Sequence, residues 1–265
     1  MEYKTTNNRH TMPAVEREQR RMEGLHDWYR TSALGRWLRV AEQRELEAVL
    51  SNLFGYHMIQ IGAAYDDGLY KSCRIPHQCI VDGLFSLNAD DLVQRRTGVV
   101  SVPESLPILS GSIDVVVLPH TLEFAVDPYE VVREVDRVLI PEGHVIILGF
   151  NPWSLWGGVR ALRYRSDRFP WCGKFRSMSR IREWLRLVGF DTVLCRTSCF
   201  RPPLVHEPTL RRLEFMERLG GRYARNRGGV YLLLGKKRVA TLTPVRPVWK
   251  PRRVVVSDLV KSPTQ

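Results

Sequence analysis

The stretch from Leu106 to Phe150 constrains this chain more than any other, because it reads almost without gaps as turn, buried strand, loop, helix, turn, buried strand. Ile113, Val115, Val116, Val117 and Leu118 form a short continuous apolar run rich in β-branched residues, bounded by Ser110-Gly111-Ser112 and Pro119. Such continuity predicts a strand buried on both faces, as in a parallel sheet covered by helices. Asp127 then offers a side-chain acceptor for a helix N-terminus, Pro128 suits the first helical position, and Glu130 is placed to reach back as the acidic member of a capping box. Val131, Val132, Val135, Val138 and Leu139 share one face at helical spacing, with Arg133, Glu134, Asp136 and Arg137 on the other. Pro141-Glu142-Gly143 predicts a turn, and Val145 to Leu148 a second buried strand. A strand-helix-strand unit this short closes as a right-handed parallel crossover.

These residues carry a family resemblance. The pattern of LPI, then IDVVVLPHTLEF, then a helix opening on Asp127-Pro128 and leading to Pro141-Glu142-Gly143, resembles the second half of the methyltransferase type 11 family, class I enzymes that use S-adenosylmethionine. The loop after strand four in that family runs H-x-L-E-H. His120, Leu122 and Glu123 match it, Phe124 stands where the second histidine is usual, and Glu142 where a glycine is usual. The match spans the 45 residues of that stretch. The chain also resembles a bacterial subgroup of methyltransferase-like proteins that continue G-F-N-P, as Gly149-Phe150-Asn151-Pro152 does here.

The resemblance implies an α/β fold: a Rossmann-like sheet, mostly parallel with an antiparallel last strand, and helices on both faces. His57 to Ala64 takes the place of strand one and the glycine-rich loop. Gln60 stands for the family's acidic residue, Gly62 is kept, and Ala64 and Asp66 replace the second and third glycines. Glycines there let backbone N–H groups approach the amino-acid part of the cofactor. Gln78 to Asp82 reads either as strand two, with Asp82 accepting from the ribose hydroxyls, or as an edge strand with no such acid. Val99 to Val102 fits strand three. Val102 falls where the family has the acid that meets the adenine, and Glu104 is the candidate substitute. The implied cofactor contacts are thus Gln60, Gly62, Ala64, Asp82, Glu104, Pro119 and His120. His120 reads either as a loop residue touching cofactor or serving as base, or as a structural histidine at a helix entry. Glu123, Asn151 and Trp153 are the candidate substrate contacts.

The remaining segments fit one domain with extensions. At 265 residues and 44% hydrophobic content, the chain supports one sizeable core. Residues 1–24 show no periodicity and read as disordered. Residues 25–238 read as the methyltransferase-like domain, 151–177 as a basic insertion rich in Trp and Arg, and 239–265 as a basic Pro/Arg-containing tail. Two amphipathic helices are predicted from His26 to Phe54, broken near Gly35, with Trp28 and Trp37 as core. In the insertion, Trp156 and Leu162 are expected to pack onto the fold. Met178 to Leu187 predicts a helix ended by Gly189, followed by a strand over Phe190 to Cys195. Gly228 to Lys237 suits the antiparallel strand.

Composition narrows the remaining classes. No apolar run approaches the roughly 20 residues that span a bilayer, and the N-terminus is too polar for a signal peptide, so a cytoplasmic protein is expected. Five cysteines at irregular spacing argue against a disulfide framework. Cys73, His77 and Cys79 lack a second pair to complete a tetrahedral metal site, so no metal is expected. Charge is divided unevenly: residues 1–150 hold 15 Lys+Arg against 21 Asp+Glu, and the rest 25 against 7. That basic half (151–265) suits a nucleic acid or other polyanion, or is simply a solvated face. The function expected is methyl transfer from S-adenosylmethionine to an unidentified acceptor. The alternative is a methyltransferase-fold pseudoenzyme that binds RNA or a partner through its basic half.

Overall fold

The computed structural model describes residues 24–62, 73–82, 97–163, 166, 168–203, 212–213 and 215–238. Its centre is a seven-stranded sheet. The strands are β1 (His57–Ile61), β2 (His77–Asp82), β3 (Thr97–Val100), β4 (Ile113–Pro119), β5 (Leu139–Phe150), β6 (Phe190–Ser198) and β7 (Val230–Lys237), in the order β3-β2-β1-β4-β5-β7-β6. All pairs from β3 to β5 are parallel, and β7 runs antiparallel between β5 and β6. The expected sheet is therefore the observed one, with β2 ending at Asp82.

Alternation along the strands gives the sheet two cores. Met58, Val115, Val117, Ile146, Leu148 and Phe150 join the cluster made by the N-terminal helices and the insertion. Ile59, Val116, Leu118, Val145 and Ile147 face the helices Pro128–Val138 and Met178–Val188. Burial on both faces is why the β4 and β5 sequences read as unbroken apolar runs.

Helix ends follow the sequence with informative exceptions. Asp127 caps the Pro128–Val138 helix, accepting from the N–H groups of Tyr129 (3.0 Å) and Glu130 (3.3 Å). The capping box is not closed by Glu130, which pairs with Arg133 at 2.9 Å; Glu104 instead accepts from the Asp127 N–H at 3.2 Å. The N-terminal helices, 24–31 and Ala33–Leu50, break at Ser32 rather than at Gly35. Ser32 is extended and its hydroxyl accepts from the Gly35 N–H at 2.8 Å, an N-cap that outweighs the glycine. Gly35 serves packing instead, since a Cβ there would fall 2.4 Å from the Trp28 carbonyl oxygen. Gly189 ends the Met178–Val188 helix at φ 102, as a glycine at that position should.

The turn expected at Pro141-Glu142-Gly143 is a bulge inside β5, because Ile113 pairs with Leu139 but Val115 with His144. Glu142 sits there at φ 64, a left-handed conformation that explains the glycine usual at this place in the family. β3 begins and ends two residues earlier than expected, since the chain turns at Ser101, with the Ser105 N–H donating to the Val102 carbonyl at 3.2 Å.

Replacing Asp127 with Ala removes a cap that serves two amides. It should lower the unfolding free energy in urea by about 1 kcal/mol without changing the m-value.

Candidate functional site

The strand order reverses between β1 and β4, and the carboxyl ends of the strands meet at that crevice, where open α/β sheets bind ligands. Gly62 leaves β1 at φ 93, and its N–H donates to the Val81 carbonyl at 2.8 Å. Ile61 pairs with Val81, so Asp82 closes β2 directly beside Gly62. Gln60 is fully buried and spends its amide on the Gly62 carbonyl at 2.6 Å. Across the crevice, the Thr121 hydroxyl donates to the Ile61 carbonyl at 2.5 Å and locks the loop after β4 to the end of β1. Ala64 and Asp66 lie outside the described residues, as does the side chain of Asp82.

Pro119 is the buried last residue of β4, paired with Leu148. His120 follows at φ 56 with no exposure. Its Nε2 lies 2.9 Å from Glu42 Oε1, and its Nδ1 lies 3.6 Å from Glu123 Oε1. Tyr29 donates its hydroxyl to the other oxygen of Glu42 at 3.0 Å. Glu123 in turn accepts the Phe150 N–H at 2.7 Å. Burial alone would depress the imidazole, but the charges of Glu42 and Glu123 outweigh it and raise the pKa to about 9. At neutral pH His120 is therefore a cation between two buried carboxylates, not a proton acceptor. Arg176, from the end of the insertion, closes the arrangement by donating to the Leu122 carbonyl at 3.2 Å.

This geometry accounts for Gly149-Phe150-Asn151-Pro152. A Cβ on Gly149 would fall 2.3 Å from the Tyr231 hydroxyl and 2.9 Å from Glu123 Oε1. The Phe150 ring stacks on the ring of Phe175 (4.8 Å) and lies tilted against the imidazole of His120 (4.1 Å). Asn151 donates to the carbonyls of Asn226 (2.9 Å) and Gly228 (3.0 Å), and accepts the Trp153 N–H at 3.0 Å.

The sequence-expected residues therefore separate into groups. Gln60, Gly62, Asp82, Pro119 and His120 gather at the carboxyl ends of β1, β2 and β4. Glu104 caps a neighbouring helix beside Tyr129 and Arg133. Glu123 and Asn151 are buried and hydrogen-bonded within the protein, whereas Trp153 is 73% exposed. Trp156 is core, its indole N–H donating to the Arg201 carbonyl at 3.0 Å, but Leu162 is 88% exposed, contrary to expectation. Trp28 and Trp37 pack against the core. Sequence reasoning passed over Glu42 and Tyr29. The signal was present, because Glu42 lies in the buried stripe of its helix between Leu38 and Leu46, where an acid needs a partner.

Comparison with known proteins agrees with this frame. Residues 86–147 match the methyltransferase domain family model. The chain has the class I methyltransferase fold. It is 30% identical over 159 residues, 60% of its length, to the uncharacterized protein YafS of Escherichia coli, and the match spans 62% of that relative. A possible histamine N-methyltransferase from Thermotoga maritima superposes with a TM-score of 0.62 at 15% identity, covering 85% of this chain and all of the other. The [4+2]-cyclase SpnF superposes at 0.55 with 16% identity, covering 75% of this chain and 80% of that one. One methyltransferase fold thus serves more than one chemistry, and the site must argue for activity. Among the described residues, no helix of this methyltransferase-fold protein is long and apolar enough to cross a membrane, and no group of three or more His, Cys, Asp or Glu is placed to hold a metal ion.

The sign of the His120 shift fixes a pH dependence. A pKa raised from 6.5 to about 9 contributes stability that is fully present below pH 6.5 and is lost as pH rises through 9. Wild type should lose up to about 3 kcal/mol across that window relative to His120→Asn. Urea unfolding of both proteins at pH 6 and pH 9.5 measures the difference.

Proposed function

We propose that this protein is an S-adenosylmethionine-dependent methyltransferase whose cofactor lies across the carboxyl ends of β1 and β2. The observation that carries this reading is the pair of adjacent strand ends, Gly62 turning out of β1 at φ 93 beside Asp82 at the end of β2. A glycine at positive φ turns the backbone sharply where it must come close to a ligand, and Asp82, the last residue of the neighbouring strand, is the residue assigned to the ribose hydroxyls. The site so far described fits such a cofactor, which when bound supplies a methyl group on a positively charged sulfur.

The chain's own residues bind and position. Gly62 and Asp82 hold the ligand. Gln60 fixes the turn by donating to the Gly62 carbonyl, and Thr121 holds β1 against the loop after β4. Pro119 and His120 form the floor on the β4 side. Glu104, engaged at a helix cap, takes no part in this version of the site. Catalysis by such a site is mainly placement of the acceptor atom in line with the methyl group. His120, protonated and enclosed, is not assigned the role of base. The exposed Trp153, whose backbone is held by Asn151, is the acceptor-side residue, while Glu123 supports it from within by fixing Phe150. The acceptor itself is left unassigned.

Calorimetric titration with S-adenosylmethionine and with S-adenosylhomocysteine tests the reading. Wild type should bind at least one of them, and Gly62→Asp should weaken binding more than about tenfold, because the new carboxylate meets that of the ligand. A thermal melt confirms that the variant is folded. No binding by folded wild type at millimolar ligand would overturn the proposal in favour of a decayed site, and equal binding by both proteins would overturn the placement of the loop.

A further inference from the structure

The helix Phe215–Tyr223 buries none of its side chains fully. Its inner face is nonetheless fixed: Glu217 accepts the N–H groups of Phe200 (3.2 Å) and Arg201 (3.3 Å), and Gly220 lies so close to the Phe200 ring that a Cβ would fall 2.2 Å from it. The opposite face therefore points outward. Phe215, Leu219 and Tyr223, spaced four residues apart on one stripe, are 52%, 50% and 76% exposed. Arg218 and Arg222 are exposed on the same side, and Arg222 lies 5.7 Å from the Tyr223 ring centre. Arg225 and Arg227 continue the cationic run, and none of these four arginines pairs with a carboxylate among the described residues.

This face is tied to the candidate site. The Thr197 hydroxyl donates to the Arg225 carbonyl, and Asn151 donates to the carbonyls of Asn226 and Gly228 on one side while holding the Trp153 N–H on the other. The backbone of the exposed Trp153 is thus tied through Asn151 to the loop that follows the helix.

We propose that the outer face of the Phe215–Tyr223 helix docks on an anionic lipid surface, with Phe215, Leu219 and Tyr223 entering the interface and Arg218 and Arg222 meeting headgroup phosphates. Charge complementarity selects the occupant. The only acid of the helix, Glu217, is engaged on the inner face, so the outer face is cationic throughout and requires a densely negative partner. Leu219 at the centre of the stripe then separates a lipid from a nucleic acid: an aliphatic side chain has no ring to stack on a base, but it gains free energy in hydrocarbon. Apolar and basic groups interleaved on one helical face are the pattern of helices that lie in a membrane interface. The inference stands independently of methyl transfer.

Vesicle flotation of the full chain tests it. Wild type should float with vesicles of phosphatidylglycerol and phosphatidylcholine, remain free of pure phosphatidylcholine vesicles, and be released by salt. Phe215→Ser/Leu219→Ser and Arg218→Ala/Arg222→Ala should each weaken binding by about tenfold or more, with circular dichroism confirming their fold. No flotation of wild type with the anionic vesicles would overturn the proposal. So would unchanged flotation of Phe215→Ser/Leu219→Ser, since the surface would then be a site for polyanions in general, and polyuridylate would compete equally against both proteins.

Discussion

The protonated imidazole of His120, held between the carboxylates of Glu42 and Glu123, is the interaction on which the arrangement of this fold depends. Each partner comes from a different part of the chain: Glu42 from the N-terminal helix, His120 and Glu123 from the loop after β4. Through Glu123 the contact reaches Phe150, the last residue of β5, and through Arg176 the end of the insertion. Burying three charged groups is costly in isolation, and it is tolerated because each has hydrogen bonds or opposite charge nearby. A residue such as Leu at 42 would pack on its apolar neighbours but would leave the imidazole beside only one carboxylate. The helix is therefore held in a specific place by charge, where hydrophobic burial alone would permit sliding.

That arrangement explains why much of the fold, but less of the site, was legible in the sequence. β4 and the second half of β5 are buried on both faces and read as unbroken apolar runs, and the helix between them carries an apolar stripe at a 3.6-residue period; both patterns are local and stand in the sequence itself. The helix breaks at Ser32, three residues before the glycine that suggests it, and Pro141-Glu142-Gly143 reads as a turn where the chain forms a bulge within one strand, because a hydroxyl cap and a local excursion leave no periodic trace. The role expected of Glu130 passed to Glu104, an acid distant in sequence that the fold brings to the same amide. Local spacing states which donor needs an acceptor; it does not state which of several acids supplies it. Glu42 was visible as an acid in an apolar stripe, but its partner, 78 residues away, was not.

Position 62 shows the converse. A single retained glycine in a loop that has lost its neighbours looks weak as a motif, yet the backbone there has the positive φ for which the glycine is kept. The residues around it have been reassigned. Gln60 holds the turn as a neutral donor where an acid is usual, so there is one less buried negative charge under the proposed cofactor position, while the loop after β4 carries a cation placed between two acids.

The Gly149-Phe150-Asn151-Pro152 segment links the two faces of the molecule that bear on function. Phe150 is part of the charged centre through its N–H and its ring, and Asn151, the next residue, leaves the sheet and ties the loop that follows the Phe215–Tyr223 helix. Adjacent residues of a strand end cannot move independently, because the backbone of β5 is paired on both sides through Leu148. A displacement of the 224–229 loop on contact with a surface would thus be felt first at Asn151 and Trp153, on the proposed acceptor side, and only through Phe150 at His120. Gly62 and Asp82, two and three strands away across the sheet, would be shielded by the rigid parallel centre. On the proposed reading, what the outer helix touches is thus linked by hydrogen bonds to the proposed acceptor side and set apart by the parallel strands from the proposed cofactor side.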